Sequence, residues 1–198
     1  MKSTHDKDAA LNQALELFWQ KGFASTSLKD LERATGMHPG SLYAAYGSKA
    51  NLYCLSMERY SDQLGSARAA LLAAAASPLS GLADFIENVH PLSDANAPLP
   101  ACFLVKATLE TSQGNDAIDT KLGELLAAND LIFEEIFQKA VQVGDLPKTR
   151  DPKKLARQLS ADLAGLCFYA LREKDPNVIK EMVADLADRV RSPCQTAT

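Results

Sequence analysis

Apolar residues recur along this chain at the three- and four-residue spacing of one helix face, and nowhere in strict alternation. Leu11, Ala14, Leu15 and Phe18 make the first stripe, and Gly22 is placed to end that helix and let Phe23 fold back on it. The hydroxyls of Ser25, Thr26 and Ser27 offer N-caps for a short helix over residues 28–34. Thr35-Gly36-Met37 breaks it, and His38-Pro39-Gly40-Ser41 opens another, with Pro39 in a first-turn position that needs no N–H. Tyr46-Gly47-Ser48-Lys49 breaks the chain again, and Ser48 can cap a long helix through Leu52, Leu55 and Tyr60 towards Ala76. The first 47 residues thus read as three helices, two of them very short.

Beyond Ser77-Pro78 the helices lengthen. Leu82, Phe85, Ile86 and Val89 form one stripe, closed by Pro91, and residues 91–100 hold three prolines and read as a surface loop. A short helix follows from Ala101 to about Thr111. A long one then carries Ile118, Leu122, Leu125, Leu126, Ile132, Phe133, Ile136 and Phe137 on its inner side and ends near Gly144. Two more run roughly over 152–173 and 176–191. The pattern predicts an all-α fold of about nine helices.

Composition narrows the function. The chain has 198 residues, 46% hydrophobic and 23% charged, enough to bury a core without disulfides. Its longest apolar runs, such as Ala69 to Ala76, stop far short of the roughly 20 residues that cross a bilayer. The N-terminus lacks an apolar stretch with a cleavage site, so a cytoplasmic location is expected. Cys54, Cys102, Cys167 and Cys194 are irregularly spaced, which suits free thiols rather than a disulfide framework or a zinc site. Three scattered histidines form no metal-ligating pair, and no glycine-rich phosphate loop or G-x-S-x-G elbow occurs. Cys102 and His90 have no third group to orient them as a catalytic pair. No metal, no cofactor and no enzymatic activity are therefore expected. The net charge of −4 is uneven: residues 1–60 carry seven Lys/Arg against six Asp/Glu, the rest fourteen against nineteen. That balance neither proposes nor excludes a polyanionic partner.

The informative segment is SLKDLERATGMHPGSLYAAYGSK, residues 27–49. A short helix, a glycine-containing turn and a second short helix make a helix-turn-helix, with Leu28, Leu31, Ala34, Met37 and Leu42 at its apolar contacts. Such a second helix can enter the major groove with its N-terminal residues at base edges. A helical hairpin that merely packs satisfies the same spacing. The segment ALELFWQKGFASTSLKDLERATGM followed by HPGSLYAAYGSKANLY resembles the N-terminal domain of the TetR (tetracycline-repressor-like) family of bacterial transcriptional regulators. ACFLVKATLE, residues 101–110, is similar to a pattern found at helix 6 in many members.

That resemblance implies a homodimer that binds palindromic double-stranded operator DNA, most simply as a repressor, and releases it when a small-molecule inducer binds. It divides the chain into a DNA-binding domain at 1–48, a regulatory and dimerisation domain at 49–191, and a disordered tail at 192–198. Thr26 and Ser27 match phosphate-contacting positions at the start of helix 2, and Lys49 matches a phosphate-holding lysine at the start of helix 4. Tyr43 matches a tyrosine that reaches the DNA backbone; His38, Pro39, Gly40 and Ser41 match the positions nearest base edges. The chain departs from the family in having His38 where Ser or Thr often caps, and Tyr46 where Phe is usual.

In the last two helices, Leu159, Leu163, Leu166, Ile179, Met182, Val183 and Leu186 form apolar stripes, and the first of these helices is apolar nearly all round. Such stripes serve either an intramolecular core or the four-helix dimer interface that the resemblance implies. Phe103, Phe133, Phe137, Phe168 and Tyr169 are candidates to line a ligand pocket or simply to fill the core. Asn129, on an apolar face, needs a partner in a neighbouring backbone or a ligand. Cys102 is expected in the first turn of a helix, where the dipole favours a thiolate. This leaves open a thiol-based sensor of oxidants or electrophiles. A third alternative is an adaptor that retains the helix-turn-helix without binding DNA.

Overall fold

The computed structural model describes residues 4–88, 101–110 and 115–192. Among them are nine α-helices and no strand: α1 (Thr4–Lys21), α2 (Leu28–Thr35), α3 (Pro39–Tyr46), α4 (Lys49–Ala74), α5 (Pro78–Asn88), α6 (Phe103–Glu110), α7 (Asp116–Val143), α8 (Pro152–Ala170) and α9 (Pro176–Arg191). The all-α reading holds. The loop expected at 91–100, His90 and the tail residues 193–198 with Cys194 lie outside the described residues.

Local chemistry sets most helix starts. Asp151 and Asp175 each sit in extended backbone before a proline and accept amide protons from the first turn of α8 and α9. Ser27 and Asp30 close a reciprocal capping box at the start of α2. α8 ends at Ala170, three residues earlier than its apolar pattern suggests.

The chain divides into two compact units. The first comprises Met1–Gln63 and Phe103–Leu126. At its centre Phe103 makes edge contacts with Tyr53 and Tyr60 at 5.4 and 5.9 Å between ring centroids, and lies 6.4 Å from Trp19. Phe18 packs edge-on against Tyr53. α6 also grips the end of α1. Lys106 Nζ donates to the carbonyls of Trp19 and Gln20 at 2.7 and 2.9 Å, neutralising C-terminal dipole ends, and Glu110 accepts the Phe23 amide at 3.1 Å.

Gly22 ends α1 with φ +82, in the left-handed region, and a Cβ there would collide with the Glu110 carboxylate. Gly22→Ala should therefore lose about 2–4 kcal/mol, combining left-handed strain with displacement of the Glu110 contact. Urea unfolding followed by circular dichroism measures it, and an unchanged midpoint would refute this account of the α1–α6 junction.

The second unit comprises Leu64–Cys102 and Ala127–Thr198. Here α5 packs along α9, with Leu79, Leu82, Phe85 and Ile86 buried in one helix and Ile179, Val183, Leu186 and Val190 in the other. Arg191 closes this pair at its end, bridging Asp84 at 3.0 Å and Glu87 at 2.5 Å.

Candidate nucleic-acid interface

The first unit builds a helix-turn-helix from α2 and α3. Gly36, at φ +62, makes the left-handed turn between them, and Leu31, Met37 and Leu42 bury the inner side of the pair. Tyr46 is buried too, and its hydroxyl donates to the Lys7 carbonyl at 2.8 Å, fastening α3 to α1. Tyr at this position, in place of the usual Phe, thus gains a hydrogen bond inside the unit.

The outer side of α3 presents His38, Gly40, Ser41 and Tyr43, all exposed, with Pro39 half-buried at the first turn. His38 occupies the N-cap position but makes no capping bond; its ring Nδ1 instead lies 3.0 Å from Glu32 Oε1, and its side chain is 90% exposed. The first turn of α3 therefore has no side-chain cap: Pro39 has no N–H, and the Ser41 and Leu42 amides donate to the His38 carbonyl at 2.9 and 3.0 Å.

Ser27 is exposed, and its hydroxyl is engaged twice with Asp30. Thr26 requires a correction. Its side chain is buried, and its hydroxyl donates to the Gly22 carbonyl at 2.6 Å, so it serves the end of α1 and is not presented to a phosphate. Lys49, at the start of α4, is half-buried with Nζ 4.4 Å from the Phe23 ring centroid, and burial lowers its pKa.

Charge on this surface is shaped by pairing. Lys21 hydrogen-bonds Asp30 at 2.9 Å and, with the Ser27 capping bonds, holds that carboxyl well below its ordinary range. Glu32 meets His38. Lys29 and Arg33, one turn apart on α2, are exposed and have no carboxylate partner among the described residues. Sequence reasoning passed over both, although their i, i+4 spacing places them on one face. The paired acids leave these two cations to dominate the outer face of α2.

The remaining sequence candidates are dispersed. Phe103 is a correction: it lies wholly buried among the rings of the first unit's aromatic cluster, in a different unit from Phe133, Phe137 and Phe168. Phe168 is 57% exposed. Leu159, Leu163, Leu166, Ile179, Val183 and Leu186, taken as candidate partner contacts, are buried within the chain's own second unit, and Met182 is half-buried. The six buried residues already have intramolecular neighbours.

Phe137 borders a small cleft of about 120 Å³ with Leu155, Leu159 and Leu186. Cys102 precedes α6 rather than lying in its first turn; it is 9% exposed, and its amide donates to Cys167 Sγ at 3.4 Å. Burial pushes the Cys167 thiol up to about 12. Asn129 lies against a charged side chain: its Oδ1 accepts from Arg68 Nη1 at 2.9 Å. Phe133 is buried, with its ring beside that same arginine. No group of three His, Cys, Asp or Glu side chains suited to a metal occurs among the described residues, and no described helix is long and apolar enough to cross a membrane.

A glycine-turned pair of short helices, packed inward on an aromatic core and presenting an exposed second helix beside unpaired cations, defines a helix-turn-helix protein of the DNA-binding class. Residues 10–53 match the family model for bacterial regulatory proteins of the tetR family, and residues 78–186 match that for the tetracyclin repressor-like C-terminal domain. The chain belongs to the TetR family and is a DNA-binding transcriptional regulator. It is similar to the HTH-type transcriptional repressor ComR of Escherichia coli K12, 29% identical over 166 residues that cover 83% of this chain and 79% of that protein. A TetR-family regulator from Cytophaga hutchinsonii shares the fold at a TM-score of 0.85 and 22% identity, over 100% of this chain and 98% of that one. The TetR-family regulator CifR, solved as a cysteine mutant complexed with 26-base-pair double-strand operator DNA, matches at a TM-score of 0.79 and 26% identity, covering 91% of this chain and 94% of that one.

Proposed function

We propose that the protein is a dimeric repressor that holds a palindromic operator through two copies of α3 and leaves it when a small molecule binds the second unit. The observation that carries this reading is the outer face of α2 and α3, where His38, Gly40, Ser41 and Tyr43 stand exposed beside Lys29 and Arg33. Ser41 and His38 are assigned to base edges; Ser27, Tyr43, Lys49, Lys29 and Arg33 are assigned to phosphates. So few cations per copy supply limited phosphate neutralisation, which is the physical reason for two copies on two half-sites. A repressor named ComR among its relatives and the operator complex of CifR support the reading.

Selection of bound duplexes from a random pool, with the protein's mass in solution measured alongside, tests it. Recovery of a palindrome by a dimer is expected. A monomer, or no enrichment at low salt, would overturn it in favour of an adaptor. Within that assay, Lys49→Ala should weaken every duplex about tenfold and flatten the salt dependence, whereas Ser41→Ala should change which sequence is preferred. Equal loss of preference in both would refute the division of roles.

A thiol response through Cys102 is the second reading, favoured by the meeting of Cys102 and Cys167 inside the second unit. Against it stands burial of both groups, which keeps the Cys167 thiolate negligible at neutral pH. A Cys102→Ser protein that no longer leaves DNA on treatment with peroxide, while still folding, would establish it.

A further inference from the structure

The second unit buries a positive charge that no carboxylate among the described residues answers. Arg68 lies on α4 within a run otherwise made of alanine and leucine, and it is only 5% exposed. Among the described residues its guanidinium makes one hydrogen bond, from Nη1 to the neutral Asn129 Oδ1 at 2.9 Å. The guanidinium carbon lies over the rings of Phe85 and Phe133, 5.5 Å from each centroid. Five of the unit's acids are engaged elsewhere: Asp84 and Glu87 with Arg191, Asp130 with Ser160, Asp145 with the Leu79 amide, and Asp162 with Arg189 and Gln158.

A buried cation is costly unless charge and hydrogen bonds compensate it. Two aromatic faces offset part of that cost, and one amide satisfies one of the five N–H donors. The remaining in-plane donors form a fork of the geometry that a carboxylate accepts from in bidentate fashion.

The geometry points to Arg68, steadied by Asn129 and flanked by Phe85 and Phe133, as the anchor for a small monocarboxylate with an apolar or aromatic body. The anionic head supplies the missing counter-charge, and the body lies against the rings. A neutral ligand of the same shape leaves the guanidinium uncompensated and gains nothing from the fork. This assignment deepens the proposed function, because it names the chemical class of effector and rests on the second unit being the effector-binding part.

The test uses the purified full-length protein with benzoate, phenylacetate and hexanoate at millimolar concentration, each set against its neutral amide. Thermal unfolding and isothermal titration provide the readouts. At least one carboxylate is expected to raise the unfolding temperature and bind measurably, and its amide is expected to do neither. Arg68→Met, which keeps length and apolar contact, should abolish the response. Arg68→Lys, which keeps the charge and loses the fork, should weaken it roughly tenfold.

The assignment falls if none of the three carboxylates binds, if acid and amide act alike, or if Arg68→Met responds as the parent does. Should Arg68→Met fail to fold, the acid-against-amide comparison on the parent protein still decides the matter. Operator binding is measured separately. A carboxylate that binds through Arg68 yet leaves operator affinity unchanged would uphold this site and overturn only the release mechanism proposed above.

Discussion

Phe168→Asp is expected to leave the protein monomeric and to abolish detectable operator binding while its helical content stays unchanged. Phe168 is 57% exposed near the end of α8, followed by Leu171 at 42%, and Ala161 and Gly165 continue the same outer stripe. Exposed large apolar side chains grouped in this way suit the partner surface that the proposed dimer needs. In a two-fold dimer each residue of that stripe occurs twice, so one substitution places two unpaired carboxylates in the interface. At about 3 kcal/mol for each uncompensated charge, the dimer dissociation constant rises by roughly four orders of magnitude. Light scattering after size exclusion reads the mass, and a gel shift reads the DNA. A dimer that survives Phe168→Asp would place the interface elsewhere on the molecule.

Phe103→Ala should have the largest effect on stability, a loss of about 3–5 kcal/mol, because it empties the centre of a ring cluster that cannot readily collapse. Tyr53, Tyr60 and Trp19 all face the vacated volume. Trp19 is the chain's sole tryptophan, so its emission reports on this cluster without labelling. Chemical unfolding followed at that fluorophore should show a lower midpoint and an altered native baseline. A loss below about 1 kcal/mol would mean that the cluster repacks and that Phe103 is not its centre.

Features set within a few residues of one another were legible in the sequence. The cap at Ser27, the turn at Gly36 and the outward placement of Ser41 and Tyr43 follow from local rules of helix ends and periodicity. Periodicity states that a face is buried without stating against what. It is therefore the resemblance that assigns Leu159, Leu163, Leu166 and Leu186 to a partner, and the structure has them buried within the chain's own second unit. Phe103 needed knowledge of contacts across more than forty residues. Thr26 looked like a phosphate ligand because a hydroxyl's partner cannot be read from its position. Arg68 did leave a trace, a lone cation in the run from Ala67 to Ala76, which helical periodicity has no means of weighing.

The grip of α6 on α1 bears on how such regulators can be recombined. α3 is fastened to α1, and α1 and its C-terminal turn are held by Tyr53, Tyr60, Phe103, Lys106 and Glu110, all beyond residue 48. The portable cassette is thus discontinuous in the gene, residues 1–63 together with 103–126. A chimera spliced just after the helix-turn-helix transplants a motif without its foundation. Exchanging only the outward residues of α3 leaves that foundation whole, which makes it the sounder route to redirecting the protein towards a new operator.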